Sequence, residues 1–161
     1  MVGGSPITED RRQVGDIRGA QRSDVDAIAR IEADSFRCPL PFSWFDRAIR
    51  DARVGVAVRR EEVIGFVVGQ QIPTGRLGRG HIADLAVRRS ARRQGWGRSL
   101  LRWVLDQFDG CAEVVLEVRA SNRGAQRLYA DEGFSMVAGR PGYYDDGEAA
   151  VIMTRQLSGG D

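Results

Sequence analysis

The segment that most restricts the fold is Asp84-Leu85-Ala86-Val87-Arg88-Arg89-Ser90-Ala91-Arg92-Arg93-Gln94-Gly95-Trp96-Gly97-Arg98. An apolar strand runs into an arginine-rich loop, and the loop into two glycines at the mouth of a helix predicted over 97–108. Leu100, Leu101, Val104, Leu105 and Phe108 share one face of that helix. The first N–H groups of a helix lack intrahelical partners, and its dipole favours negative charge there. Glycine lets a phosphate come close to the backbone without a Cβ in the way. The segment therefore reads as a diphosphate cradle, with nearby arginines to neutralise a further phosphate; an ordinary loop with solvated arginines has the same composition. It is not a P-loop, because the chain has no lysine, and it lacks the third glycine of a dinucleotide fingerprint.

Around this segment the periodicity predicts strand 16–20, helix 24–35 with Ser23 as N-cap and Asp26 three residues on, and a second helix capped by Ser43 and running to about Arg50. Cys38-Pro39-Leu40-Pro41-Phe42 is irregular because two prolines interrupt it. Strands at 54–58 and 63–71 form a hairpin turning at Glu61-Glu62, and 73–80 is a loop. Then follow strand 82–87, the helix 97–108, strand 113–118, helix 123–132 closed by Gly133, and strands 135–140 and 148–157. The order β-α-α-β-β-β-α-β-α-β-β is a mixed α/β layout.

A chain of 161 residues, 42% hydrophobic and 29% charged, fits one domain over 14–157 with flexible tails at 1–13 and 158–161. No apolar run is long enough to cross a bilayer, and the first residues lack the apolar stretch of a signal peptide. Cys38 and Cys111 make neither a disulfide framework nor a metal cluster, so a cytoplasmic protein without a metal is expected. The net charge of +2 does not suggest a general nucleic-acid binder, and the basic loop at 75–80 reads as solvated sooner than as a contact to ribosomal RNA. His81, the single histidine, starts a strand without the neighbours a metal site needs.

Arg92-Arg93-Gln94-Gly95-Trp96-Gly97 resembles the Arg/Gln-x-x-Gly-x-Gly/Ala signature of the GNAT family of N-acetyltransferases. Leu116-Glu117-Val118-Arg119-Ala120-Ser121-Asn122 and Leu128-Tyr129-Ala130-Asp131-Glu132-Gly133-Phe134 look like its RimI branch, the ribosomal-protein-alanine N-acetyltransferases. The resemblance implies the acyl-CoA N-acyltransferase fold: a mixed, mostly antiparallel sheet of six to seven strands flanked by about four helices and splayed between strands 4 and 5. It also implies acetyl-CoA as cosubstrate and direct transfer of acetyl to an amine. By motif matching, the backbone of Leu85, Ala86 and Val87 would run beside the pantetheine arm. Arg92, Arg93, Gln94, Gly95, Trp96, Gly97 and Arg98 would hold the pyrophosphate, and Asn122 would hydrogen-bond the arm or cap a helix.

By the same matching Glu117 is the general base and Tyr129 the general acid. A terminal α-amine has a pKa of about 8 against about 10.4 for lysine, so a modest base suffices. Read without the family, Glu117 is equally an exposed strand carboxylate or an ion-pair partner of Arg119, Tyr129 a core anchor, and Trp96 a packing residue. The branch implies a protein N-terminus as partner, in particular the alanine of a small-subunit ribosomal protein, with no membrane partner and a monomer or homodimer. Two departures bear on the acceptor. Pro39-Leu40-Pro41-Phe42-Ser43-Trp44 matches the branch's acceptor segment in part, and Ala149 stands where an acidic residue is usual. Acetylation of a small-molecule amine or a protein lysine is the alternative, and a non-catalytic acyl-CoA-binding module a further one.

Overall fold

Seven strands and four α-helices follow one another in the computed structural model, which describes residues 15–157. They are β1 (Asp16–Gly19), α1 (Val25–Ser35), α2 (Phe42–Asp51), β2 (Arg53–Arg59), β3 (Glu62–Ile72), β4 (Gly78–Val87), α3 (Trp96–Asp106), β5 (Cys111–Arg119), α4 (Arg123–Asp131), β6 (Ser135–Arg140) and β7 (Ala150–Gln156). The tails expected at 1–13 and 158–161, together with Val14, lie outside the described residues. The strands form one sheet in the order β1-β2-β3-β4-β5-β7-β6, with β4–β5 parallel and every other pair antiparallel. This is the mixed, mostly antiparallel α/β layout that the sequence implied.

Each face of the sheet has its own core. On one side Leu100, Leu101 and Val104 of α3 are fully enclosed against Val67, Ile82 and Leu116. Full burial contributes about 1.5–3 kcal/mol for each such side chain, which outweighs the roughly 1 kcal/mol that a glycine in the first turn costs the helix. On the other side α1 and α2 place Val25, Ile28 and Phe45 on Val56, Phe66 and Val68, with Phe45 and Phe66 packed edge to face at 5.4 Å between centroids.

Of the boundaries that differ from the sequence reading, four have a visible cause. Helix α1 is not capped by Ser23, because a 3-10 turn over Arg22–Asp24 precedes it and Gln21 N–H donates to Asp24 Oδ2 at 2.7 Å. Helix α2 already includes Ser43, with Pro41 at its N-cap. The β2–β3 turn lies one residue earlier, at Arg60 and Glu61, both with positive φ (50° and 66°), the conformation that matches the strand twist. Strand β4 starts at Gly78 rather than at Ile82. Gly80 makes this possible, since a Cβ there would stand 2.8 Å from the ring of Phe108. A Gly-rich stretch that reads as loop is thus strand, thinned to admit the residue that follows α3.

Strands β4 and β5 stay together only from Gly78 to Ile82. Beyond that point β4 continues on β3 and β5 on β7, so a gap opens between them. At the same point β4 carries one extra residue. Ile82 pairs with Gly69 and Asp84 with Val68, which leaves Ala83 unmatched. Such a bulge bends the strand that holds it. Ile82 packs with the α3 side, whereas Ala83 and the partner of Asp84, Val68, belong to the α1 side, so Ala83 and Asp84 face the same way.

Candidate active site

Two cavities meet at the gap. The first has a volume of about 660 Å³ and lies between the end of β4, the glycine turn and the starts of α3 and α4. The second, about 340 Å³, lies between the α1–α2 loop, the parted ends of β4 and β5, and the β6–β7 connection. Phe36, Leu85, Asn122, Ala125 and Leu128 line both, so each cavity opens onto the other.

The larger cavity is floored by backbone. Arg93 and Gly95 have positive φ (61° and 90°), which turns the chain sharply into α3. The first helical hydrogen bond runs from Ser99 N–H to Gly95 O at 3.1 Å, so α3 does not consume the amides before it. Leu85, Ala86, Val87, Arg92, Arg93, Gly95, Trp96, Gly97, Arg98 and Asn122 all line this cavity. Gln94 does not; its side chain accepts from Arg59 at 3.1 Å and donates to Ser90 O at 3.4 Å. The Arg92 guanidinium is occupied at its base, donating to Val87 O at 2.8 Å and Ser35 Oγ at 3.2 Å. Arg98 reaches toward α4, 3.2 Å from Glu132 and 3.5 Å from Asp131. Trp96 is core: its side chain is enclosed, and the indole N–H has no protein partner. Asn122 caps α4, its Oδ1 accepting from Ala125 N–H at 3.1 Å.

The smaller cavity holds the titratable groups. Glu117 sits one residue past the last β4–β5 rung, and its Oε2 lies 2.7 Å from His81 Nε2. That hydrogen bond holds the Glu117 carboxyl below the ordinary carboxylate range, against the opposing effect of burial. Tyr129 enters from α4, on the far side of the sheet, packed edge to face on Phe134 at 5.8 Å. Burial, reinforced by the nearby Asp84 charge, pushes its phenol well above the usual value and keeps the proton on. Glu117 and Tyr129 thus reach one cavity from opposite faces of the sheet, which only a gap between strands permits.

The roof of this cavity is tied down by Arg119. Its Nη1 donates to Asp146 Oδ2 at 2.8 Å and Glu148 Oε1 at 2.9 Å, and its guanidinium carbon lies 4.1 Å from the centre of the Tyr144 ring. Glu148 also accepts from Ser121 N–H at 2.9 Å. Burial pushes the Tyr144 phenol up to about 12. Arg119 is therefore engaged away from Glu117, whose partner is the histidine. Among the described residues no group of His, Cys, Asp and Glu has the spacing of a metal site. Among the same described residues no helix is long and apolar enough to cross a membrane.

Sequence reasoning brought Glu117, Tyr129 and the glycine turn to the site but missed His81, Glu32 and Asp84. A strand begun at Gly78 would have put His81 on the same face as Glu117, two residues off in register. Glu32 had a signal of its own, a carboxylate on the apolar stripe of α1.

The chain is similar to known acetyltransferases, to some in sequence and to others in fold. An N-acetyltransferase of Methanocaldococcus jannaschii is 33% identical over 87% of this chain and 90% of its own length. An N-alpha-acetyltransferase of Sulfurisphaera tokodaii is 33% identical over 88% of this chain and 92% of its own. The crystal structure of the ribosomal-protein-alanine N-acetyltransferase of Escherichia coli superposes with a TM-score of 0.81 at 28% identity, covering 92% of this chain and 97% of that one. With the acetyltransferase (GNAT) family matching residues 25–134, the chain belongs to that family of N-acetyltransferases.

Proposed function

We propose that the protein transfers acetyl from acetyl-CoA directly to the α-amine of a protein N-terminus. The observation that carries this reading is the meeting of two cavities at the strand gap, with an ionised carboxylate on one side and a protonated phenol on the other. Transfer is taken as direct, as the resemblance to the GNAT family implies, and Cys38, which lines the smaller cavity, has no part in it.

The residues present suit acetyl-CoA. Amides preceding Ser99, the positive end of α3 and the arginines at 92, 93 and 98 make an anionic diphosphate welcome in the larger cavity. The backbone of Leu85, Ala86 and Val87 faces the gap without a partner from β5 and suits an extended amide-bearing arm, as does the side of Asn122 not used in capping. When bound, acetyl-CoA supplies an activated thioester.

Glu117, held ionised by His81, binds the acceptor ammonium and passes its protons on to water, so that the free amine can attack. His81 donates its Nε2 hydrogen to Oε2 and leaves Oε1 for the amine. Tyr129 holds its phenolic proton at the junction, ready for a leaving sulfur. Glu117 and Asp145 give the smaller cavity an acidic lining that favours a cationic amine over an anionic acceptor. The N-alpha-acetyltransferase relative and the Escherichia coli structure favour a polypeptide α-amine, with the N-terminal alanine of a small-subunit ribosomal protein as the first acceptor to test. Unpaired Cys38 and Cys111 suit a reducing compartment, the cytoplasm.

The test is mass spectrometry of N-terminal peptides, lysine peptides and free amines incubated with protein and acetyl-CoA. Acetylation confined to α-nitrogens, with alanine preferred, is expected. Equal modification of free amines or of lysine would assign a different acceptor, and no product with any amine would remove the catalytic reading.

A further inference from the structure

Glu32 interrupts the apolar stripe of α1. Val25 and Ile28 point into the core, and the next turn of the same stripe presents a carboxyl in a residue only 2% exposed. Its Oε1 accepts the backbone N–H of Leu40 at 2.9 Å, in the proline-flanked loop between α1 and α2. Its Oε2 is sealed from solvent without a donor, and so is Oδ2 of Asp84. The bulge at Ala83 has turned Asp84 onto the α1 face, into the same wall of the smaller cavity as Glu32, close enough for each carboxyl to feel the other. Two carboxylate oxygens make no hydrogen bond unless one carries a proton. A single proton satisfies both orphans.

We propose that Glu32 and Asp84 share one proton, and that this acid pair positions the acceptor by fastening the α1–α2 loop, through Leu40, to β4 beside the gap. The proposal rests on reading the smaller cavity as the acceptor site. Phe36, Cys38 and Leu40 bring this loop into the wall of that cavity opposite Glu117, so the loop's distance from β4 sets the room an acceptor has. The other ionisable groups facing the pair are Tyr129 from α4, Glu117 and Arg119 from β5, Tyr143, Tyr144 and Asp145 from the β6–β7 connection, and Cys38 from the loop. Of the described lining residues only Arg119 is a permanent cation, and it is engaged with Asp146 and Glu148. Neutralisation therefore falls to a proton. Burial raises the affinity of both carboxyls for it, and at Asp84 the Glu32 charge raises it further. Loss of that proton at alkaline pH leaves two adjacent buried charges that repel, and the loop comes loose.

Infrared difference spectroscopy of the whole protein tests the pair without reference to any acceptor. A carboxylic-acid carbonyl band at neutral pH, absent from both Asp84→Asn and Glu32→Gln, is expected; no such band, or one that survives both substitutions, overturns the shared proton. Steady-state kinetics with a peptide that the wild type acetylates test the positioning. Asp84→Ala should raise the peptide KM by roughly ten- to a hundredfold, the equivalent of one hydrogen bond to a charged group, with the acetyl-CoA KM within about twofold. Asp84→Asn, whose amide can donate to Glu32, should restore most of that loss and remove the alkaline rise in peptide KM. A wild-type peptide KM that Asp84→Ala leaves unchanged, with the infrared band present, refutes the positioning role while leaving the acid pair intact. Failure of the wild type to acetylate any peptide removes the acceptor reading, and the infrared result stands apart from it.

Discussion

His81 Nε2 lies 2.7 Å from Glu117 Oε2, spanning the parallel strands β4 and β5 immediately before they part. The hydrogen bond keeps the Glu117 carboxyl more acidic in the folded chain than its unfolded value of about 4.3. Its contribution to stability is complete above the unfolded value and is lost as pH falls through the lower folded one. His81→Ala should therefore cost stability at neutral pH and progressively less in acid. Urea denaturation of both proteins across that range measures the difference, and a gap constant down to strong acid would reject the coupling.

Glu117→Gln and Tyr129→Phe separate chemistry from binding. Each should lower turnover by about two to four orders of magnitude, the usual effect of removing an acid or base. Calorimetric affinity for coenzyme A should stay near that of the wild type, since the diphosphate cradle lies in the other cavity. Turnover at the wild-type rate would dismiss the role of the residue replaced.

Gly95 holds φ at 90°, where an L side chain is strained by about 1–2 kcal/mol. Gly95→Ala should weaken coenzyme A binding by roughly five- to thirtyfold, as the turn either stores that strain or re-forms with its amides misdirected. Isothermal titration calorimetry decides it, and an unaltered Kd would mean the turn takes no part in binding.

Arg119 acts on the opposite substrate. Arg119→Ala frees Asp146, Glu148 and the Tyr144 ring together, so the peptide KM should rise by about tenfold or more. The acetyl-CoA KM should hold. A rise confined to the acetyl-CoA KM would show that the β6–β7 connection serves the donor instead.

Local patterns carried the parts of this molecule that are local. The Gly95-x-Gly97 turn before an amphipathic run, Asn122 ahead of α4 and the valine alternation of β2 are each set by a few adjacent residues. His81 was passed over because its meaning depends on the register of β4 against β5, and that register begins in a glycine-rich stretch opened up for Phe108. Asp84 was hidden for a related reason, since strict alternation would turn it away from α1. Ser23 resembled a cap, but the Asp24 carboxylate bonds Gln21 N–H and Arg18 and starts the helix through a tighter turn.

The unmatched Ala83 has a consequence that reaches beyond any substitution. Were that one position deleted, Asp84 would still stand opposite Val68 and every apolar side chain would keep its side of the ribbon. What would vanish is the crook in the chain, and with it the reason for the neighbouring ribbon to drift away. A sequence shortened in this way would pass as an unremarkable relative, hydrophobic pattern intact, yet offer a continuous wall where two reactants have to touch.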